Sequence, residues 1–419
     1  MSILDKSLIV LSNLRDLGGL FIPGKKVKGK GLRVLVFNWR DTKHAWSGGA
    51  EVYIQELSKR WAQEGNSVTL FCGNDGQSSR NETIGMVNII RRGGFFTVYL
   101  WAILYTIFKF RNKYDVIIDS ENGIPFFTPL FTRKPVILLV HHVHQEIFIE
   151  QMKFPMSHIG RFIEGKVMPL VYKNHQVITV SESSRREIVK AGIASEERVQ
   201  IVNPGIEMPT KKFKKTDFPS MIYLGRLKAY KNVDVAIRAF ATVAKRFANA
   251  RFYIVGEGDT LGSLRDLVVK LGLEDKILFL GKVSEEEKIR LLSQSWFAVQ
   301  PSTVEGWGIT VIEANSCRTP VIASDTKGLR DSIVDGKTGI LVKLKDTKAF
   351  SRSIKKLIVN QRLRDLASKE AYKWAKQFSW EESSRSFGHI LFQEHEKRTP
   401  MFSLKKAGYI ANRISSLFF

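Results

Sequence analysis

Cysteine is nearly absent. The 419 residues hold two, Cys72 and Cys317, far apart and in no metal-ligand spacing. That excludes a disulfide framework and a zinc cluster, and it fits a reducing, cytoplasmic setting. Long uncharged apolar runs are lacking too. Ser7–Phe21 is broken by Arg15 and Asp16, which leaves it too short and too charged for a bilayer span and without a convincing signal-peptide start. Acid is scarce relative to base: 41 Asp and Glu stand against 65 Lys and Arg, a net charge of +24. A field of that sign favours polyanions, among them nucleic acid, anionic lipid and nucleotide-sugar phosphates. Nucleic-acid binding would need a known module or aromatics interleaved with the cations, and neither is seen. What is present is ordinary for a folded enzyme. Hydrophobic residues make up 44% and charged residues 25%, which excludes both a mostly disordered chain and a polytopic membrane protein.

Short apolar runs alternate with helical patterns from Arg33 onward. Strands are expected at Val34–Phe37, Val68–Cys72, Val116–Asp119, Val136–Val140 and Val177–Val180. A second series follows at Met221–Leu224, Phe252–Val255, Ile277–Leu280, Phe297–Gln300, Val321–Ala323 and Ile340–Val342. None alternates in and out, as expected of strands covered on both faces of a parallel sheet. Helices such as Ala50–Ala62, Val233–Ala244 and Leu261–Leu271 lie between them. The order predicts an α/β protein with two doubly wound, Rossmann-like domains facing a cleft. We divide the chain into a basic extension (1–31), an N-terminal domain (32–207), a Lys- and Pro-containing linker (208–220), a C-terminal domain (221–378), a last helix (379–398) and a basic amphipathic tail (399–419). The aromatic run Phe95–Phe110 is marginal in length for a span and is expected to be a helix on the sheet, with room for one face to meet lipid.

Four segments carry candidate chemistry. Glu305-Gly-Trp-Gly-Ile-Thr-Val-Ile-Glu313 follows a strand and opens a helix. Gly306 and Gly308 allow close backbone approach, and the N–H groups of Ile309 and Thr310 form a ready anion site. Gly225-Arg226 to Lys231 follows the strand Met221–Leu224, where a guanidinium fork and an ammonium suit a diphosphate. A long loop from Trp39 to Gly48-Gly49 leaves the first strand, although a double glycine alone is weak evidence for a ligand. His141-His142-Val-His144 ends the strand Val136–Val140. No carboxylate or cysteine stands near it at ligand spacing, so no metal is expected.

Together these residues resemble the retaining family-4 glycosyltransferases of the GT-B fold, over roughly residues 32–392. The specific segment is Glu305-x7-Glu313. Support comes from Gly48-Gly-Ala-Glu51, Val180-Ser-Glu-Ser-Ser184, Asn203-Pro-Gly-Ile-Glu207, Gly225-Arg-Leu227, Val255-Gly-Glu-Gly-Asp259 and Asp335-Gly-Lys-Thr-Gly339. Phe378-Ser-Trp-Glu381 looks like the start of the helix that, in the family, returns to the first domain. The resemblance implies sugar transfer from a nucleotide diphosphate sugar, with retention, without a metal and without a cofactor. By the same resemblance Arg226 and Lys231 bind the diphosphate, Glu305 the donor sugar and Glu313 the ribose. Gly306, Trp307 and Gly308 give backbone contacts to the sugar, Ile309 and Thr310 to the phosphate. Gly48 and Gly49 lie near the phosphates, and Val283 near the base. His141 matches the histidine beside the transferred sugar, with His142 as the alternative. Asn232 departs from the family, which often has glycine there.

The resemblance and the basic, aromatic surface lead to one expectation. The chain is read as a hexosyltransferase on the inner face of the cell membrane, peripheral on its anionic surface and acting on a lipid-linked or saccharide acceptor. A nucleotide-sugar epimerase is the alternative enzyme.

Overall fold

The computed structural model describes residues 31–145, 148, 149 and 153–398. The N-terminal extension before Gly31 and the tail 399–419 lie outside the described residues. The first sheet has eight strands in the order β3 (Asn81–Ile84), β4 (Val87–Arg91), β2 (Ser67–Cys72), β1 (Arg33–Phe37), β5 (Val116–Glu121), β6 (Val136–Val140), β7 (Gln176–Thr179) and β8 (Val199–Ile201). Every pairing is parallel except β3 with β4. The second sheet is wholly parallel: β11 (Ile277–Gly281), β10 (Arg251–Val255), β9 (Ser220–Leu224), β12 (Phe297–Gln300), β13 (Val321–Ser324) and β14 (Gly339–Val342). This is the doubly wound order in which the strand sequence reverses beside the first strand. The two α/β domains adopt the GT-B architecture expected from the sequence.

The unbroken apolar runs have a direct cause. In β1, Val34 and Val36 pack under the helices Gly49–Gln63 and Trp380–Arg398. Leu35 and Phe37 pack against the opposite layer, which includes Thr97–Leu104, Met168–Tyr172 and Glu182–Lys190. With helices on both sides, neither face needs polar residues. The hairpin β3–β4 and the short β8 were not anticipated. The exposure of β3 alternates between open and half-covered along its length, so it carries no apolar run to read.

The aromatic segment forms the helix Thr97–Leu104, continued by one π turn, Tyr105–Lys109. Val98, Ala102, Thr106 and Phe110 are buried, a four-residue spacing that fixes one stripe on the sheet. Tyr99 and Tyr105 are half-buried against the same core, whereas Leu100, Trp101, Leu104, Ile107 and Phe108 are exposed. Among the described residues no helix is long and apolar enough to cross a membrane.

The chain passes between the domains twice. It leaves β8 through residues 208–219 and returns at Ser379 into the helix Trp380–Arg398. The two passages touch: Ile206 bridges Ser379, the Ile206 N–H bonds the Phe378 carbonyl at 3.2 Å, and the Ser383 hydroxyl bonds the Asn203 carbonyl at 2.7 Å. The returning helix lies on Gly49–Gln63. Trp61 is fully buried there, its ring edge-on to Phe387 at 5.1 Å and its indole N–H on the Ser384 carbonyl at 3.0 Å. Burial of one such side chain is worth about 2–3 kcal/mol.

Candidate active site

The second sheet reverses its order between β9 and β12, and the residues singled out in that domain emerge there. β9 ends at Leu224, Gly225 and Arg226 follow it, and a short 3-10 turn carries Lys231. β12 ends in the loop that holds Glu305. The Lys231 ammonium lies 2.5 Å from Glu305 Oε1, and Gln300 Nε2 donates to the same oxygen at 2.8 Å. Burial alone would raise the Glu305 carboxyl, but Lys231 and these hydrogen bonds hold it below its ordinary range. It is therefore a carboxylate with a fixed direction.

Asn232 explains how this domain tolerates its departure from glycine. Its backbone is left-handed, with φ 49° and ψ 39°, a conformation that asparagine adopts more readily than most residues. Its side-chain amide donates to Pro301 O at 3.0 Å and Thr303 Oγ1 at 2.9 Å. The asparagine thus ties the turn after β9 to the loop after β12. Gly308, with φ 91°, turns that loop into the helix Ile309–Ser316. The first N–H groups of the helix have no partner within it. Glu313 lies farther along, paired with Lys288 at 2.7 Å. Val283 is half-buried against the core cluster that includes Ile222, Val255 and Leu291.

The N-terminal domain closes the site from above β1. Arg226 donates to the Trp46 carbonyl at 3.4 Å and to the Tyr230 hydroxyl at 3.0 Å. A Cβ on Gly48 would stand 3.3 Å from the Arg226 guanidinium, and one on Gly49 would stand 3.4 Å from Ile309. Burial lowers Arg226, but Tyr230, Glu51 and Glu305 together raise it above its ordinary value. Sequence reasoning missed a further cation here. Arg40 is buried and pairs with Glu51 at 3.0 Å, while Glu51 also accepts the Gly48 N–H at 2.7 Å. Its signal was its place in the loop after β1, beside the double glycine.

Gly306 marks a close backbone approach of the two domains. A Cβ there would stand 2.4 Å from the His141 carbonyl oxygen. The Val180-Ser-Glu-Ser-Ser segment completes the contact. Ser181 caps the helix Glu182–Lys190. The Ser183 N–H reaches Asp331 Oδ2 at 2.8 Å, and the Ser184 hydroxyl donates to His141 O at 3.0 Å. Trp307 turns its ring away from the cleft, edge-on to Phe378 at 5.1 Å.

The three histidines have three environments. His141 is buried with its ring perpendicular to Tyr53 at 5.5 Å, and burial, with His144 nearby, pushes it down to about 4. His142 is pushed well below its ordinary value by burial and then by His144, His141, Lys231 and Arg226. His142 thus lies in the field of the phosphate-type cations. His144 stacks on His142 at 4.1 Å and lies 3.2 Å from Glu121 and 3.6 Å from Glu164. Burial opposes its charge, but the two carboxylates raise it to about 10. The sequence reading found no carboxylate at ligand spacing beside these histidines, yet the fold brings in two, from the end of β5 and from the π turn Ile163–Val167. Their ligand atoms lie within 4.8 Å of one another, a set that could hold a metal ion. The Glu164 carboxylate also accepts the His144 N–H and the Gln145 amide, and the imidazolium supplies the positive charge between the acids.

Two doubly wound domains, with cations at one switch point and a glycine-rich helix start facing them, define a GT-B glycosyltransferase. The comparisons specify it. The model for Glycosyltransferase Family 4 matches residues 47–208, and that for Glycosyl transferases group 1 matches residues 206–374. The two matches together cover most of the chain, which belongs to the family-4 glycosyltransferases. It is 23% identical over 377 residues to an uncharacterized glycosyltransferase of Methanocaldococcus jannaschii, covering 82% of this chain and 94% of that one. Among solved structures it resembles sucrose-phosphate synthase from Thermosynechococcus elongatus, with a TM-score of 0.74, 18% identity, and coverage of 86% of this chain and 98% of that one. It also resembles Anabaena HepE in complex with UDP-glucose, with a TM-score of 0.70, 16% identity, and coverage of 86% and 100%.

Proposed function

We propose that the protein transfers a hexose, with retention at the anomeric carbon, from a nucleotide diphosphate sugar to a lipid-linked or saccharide acceptor on the inner face of the cell membrane. One observation carries the reading: Arg226, Lys231 and Glu305 meet at the β9–β12 switch point, directly under the Trp46–Gly48 loop of the other domain. A diphosphate there would lie against two cations and the N-terminus of the helix Ile309–Ser316. Those groups stabilise the charge that develops as the bond from the anomeric carbon to the phosphate oxygen breaks, so the chemistry needs no metal. The acceptor hydroxyl attacks from the same face and passes its proton to a leaving diphosphate oxygen. Glu305 orients the sugar. Glu313 takes the ribose and Val283 flanks the base. Of the two candidate histidines, His141 packs its ring on Tyr53 while His142 lies in the field of Lys231 and Arg226, which supports His142 over His141 as the histidine beside the transferred sugar. The UDP-glucose in the HepE complex makes uridine the first base to test.

The experiment is a thermal-shift screen of UDP, GDP, ADP and their sugars against the wild type and Arg226→Ala. A ligand at about 100 times its Kd adds ~2.7 kcal/mol of stability. A shift with one nucleotide that vanishes in the variant is expected. A folded protein that no nucleotide shifts would overturn the donor assignment. Products formed from donor alone, without acceptor, would instead favour an epimerase.

A further inference from the structure

We propose that one outer face of the N-terminal domain, built from two separate segments, is a docking surface for an anionic lipid bilayer and sets the mouth of the active-site cleft against it. This rests on the transferase reading and adds the surface and its orientation. The first segment is the helix and π turn 97–109, where Leu100, Trp101, Leu104, Ile107 and Phe108 are exposed. The second was not foreseen from sequence: Phe154, Ile159, Phe162 and Leu170 are exposed along 154–170.

Both segments belong to one layer. Val98, Ala102, Met168 and Tyr172 pack in the same core, on the sheet face opposite the returning helix. The loop between them bridges the gap. Phe126 meets Tyr99 at 4.9 Å, Phe127 meets Tyr172 at 6.0 Å, and Leu130 stands exposed. The surface therefore continues from one segment to the other.

The charge pattern identifies the partner. Residues 95–113 hold Lys109, Arg111 and Lys113 and no acid. Residues 153–173 hold Lys153, Arg161, Lys166 and Lys173. Their single acid, Glu164, is buried against His144 and Gln145. Outward, both segments present cations and large apolar groups and no acid, the composition of an interfacial surface that meets anionic headgroups. A folded protein partner would bring no general reason for acid to be missing from both.

The orientation comes from the rim. Phe95 and Phe96 open the first segment. Phe95 lies edge-on to Trp39 at 4.5 Å and 6.5 Å from Trp46, and the Trp39 indole N–H bonds the Phe95 carbonyl at 3.2 Å. Trp46 is half exposed, and its carbonyl is the one that receives Arg226. The apolar surface thus ends at the donor phosphate site, so a docked protein would hold its cleft at the headgroup level, where a lipid-borne acceptor hydroxyl lies.

The test is flotation of the full chain with vesicles of phosphatidylcholine alone or with about 30% phosphatidylglycerol. The variants are Trp101→Ser with Phe108→Ser in the first segment, and Phe154→Ser with Phe162→Ser in the second. The wild type should bind the anionic vesicles at least about tenfold better than the neutral ones, and each double variant should lose about tenfold. Brominated acyl chains should quench tryptophan emission less in Trp46→Phe than in the wild type. Binding retained in both double variants would assign the anchor elsewhere, to the tail 399–419 first, and overturn the proposal. So would a wild type that ignores both vesicles. The nucleotide-induced thermal shift is read in the same samples. A shift without vesicle binding sinks the docking face alone, whereas vesicle binding without a shift sinks the donor reading alone.

Discussion

The two domains share one plan and differ in what they show to solvent. Among the described residues, the exposed large apolar side chains beyond residue 208 are Val269, Leu278, Val359, Leu366 and Phe392, scattered singly. Before residue 208 most of them gather on one layer of helices, with Trp46, Val52 and Met86 lying apart. Scattered apolar residues are normal on any surface, whereas a gathered set calls for a partner. The C-terminal sheet is wholly parallel, while the N-terminal one ends in an antiparallel hairpin, and its outer helices contain two π turns. The comparison teaches a division of labour. Under the proposed function, the C-terminal half is a regular cradle for a soluble, charged donor, and the N-terminal half has bent a similar frame toward something apolar.

Four substitutions or conditions can break that division. The largest effect should come from the cradle itself. Arg226→Ala should lower the turnover of sugar transfer by about 100- to 1000-fold. Arg40→Ala, its counterpart across the cleft, should cost about tenfold or less, because its charge is already committed to Glu51. Equal losses in a radiolabelled-donor assay would show the diphosphate is held by both halves alike. Next comes the contact between them. Gly306→Ala puts a methyl 2.4 Å from the His141 carbonyl, so the halves must separate. A displacement of this size should cost about 100-fold in kcat/KM, with the circular-dichroism melt showing a folded protein. Unchanged kcat/KM would mean that the closed contact is not the reactive one.

The third concerns pH, and it should act on the N-terminal half. His144 titrates at about 10 in the folded chain against 6.5 for the free side chain. Its stabilisation is full below the lower value and is lost as pH rises through the upper one. Urea titrations over that window should show declining stability, with a shallower decline in Glu121→Gln, which removes one of the two anions. A parallel decline in both proteins would detach His144 from Glu121. The smallest effect belongs to Asn232. Asn232→Ala keeps the left-handed turn and loses the amide bonds, at about 2–3 kcal/mol. Asn232→Gly relieves the turn and should stay within about 1 kcal/mol of that variant, on either side of it. Equal stability of Asn232→Ala and the wild type would mean that the amide bonds to Pro301 and Thr303 contribute nothing.

Much of this was legible along the chain, for reasons that can be stated. The buried strands were visible because helices cover both their faces, so β1, β9 and β12 are nearly pure apolar runs. The candidate donor groups could be singled out because Arg226 and Lys231 lie close together after β9, while Glu305 and Glu313 share one loop and its helix. The edges were not. β3 alternates without a strong apolar face, and β8 has three residues. The buried charge around His144 was invisible because its acids come from β5 and from a π turn far along the chain. The exposed set 154–170 escaped notice because it is cut by Pro155, Gly160 and Gly165, which hides any periodicity.

The paired passages between the domains have a mechanical meaning. A single tether lets one body swivel freely about the other. Here the outgoing chain at Asn203–Ile206 and the incoming chain at Phe378–Ser383 are bonded side by side. Two adjacent tethers behave like a pair of door pins and leave one easy axis. Rotation about it swings Arg226 toward or away from Trp46 while the faces of the two sheets keep their mutual twist. If the proposed function holds, a cleft hinged in this way would gape to release a nucleotide and shut again in register, without a search for alignment at each cycle.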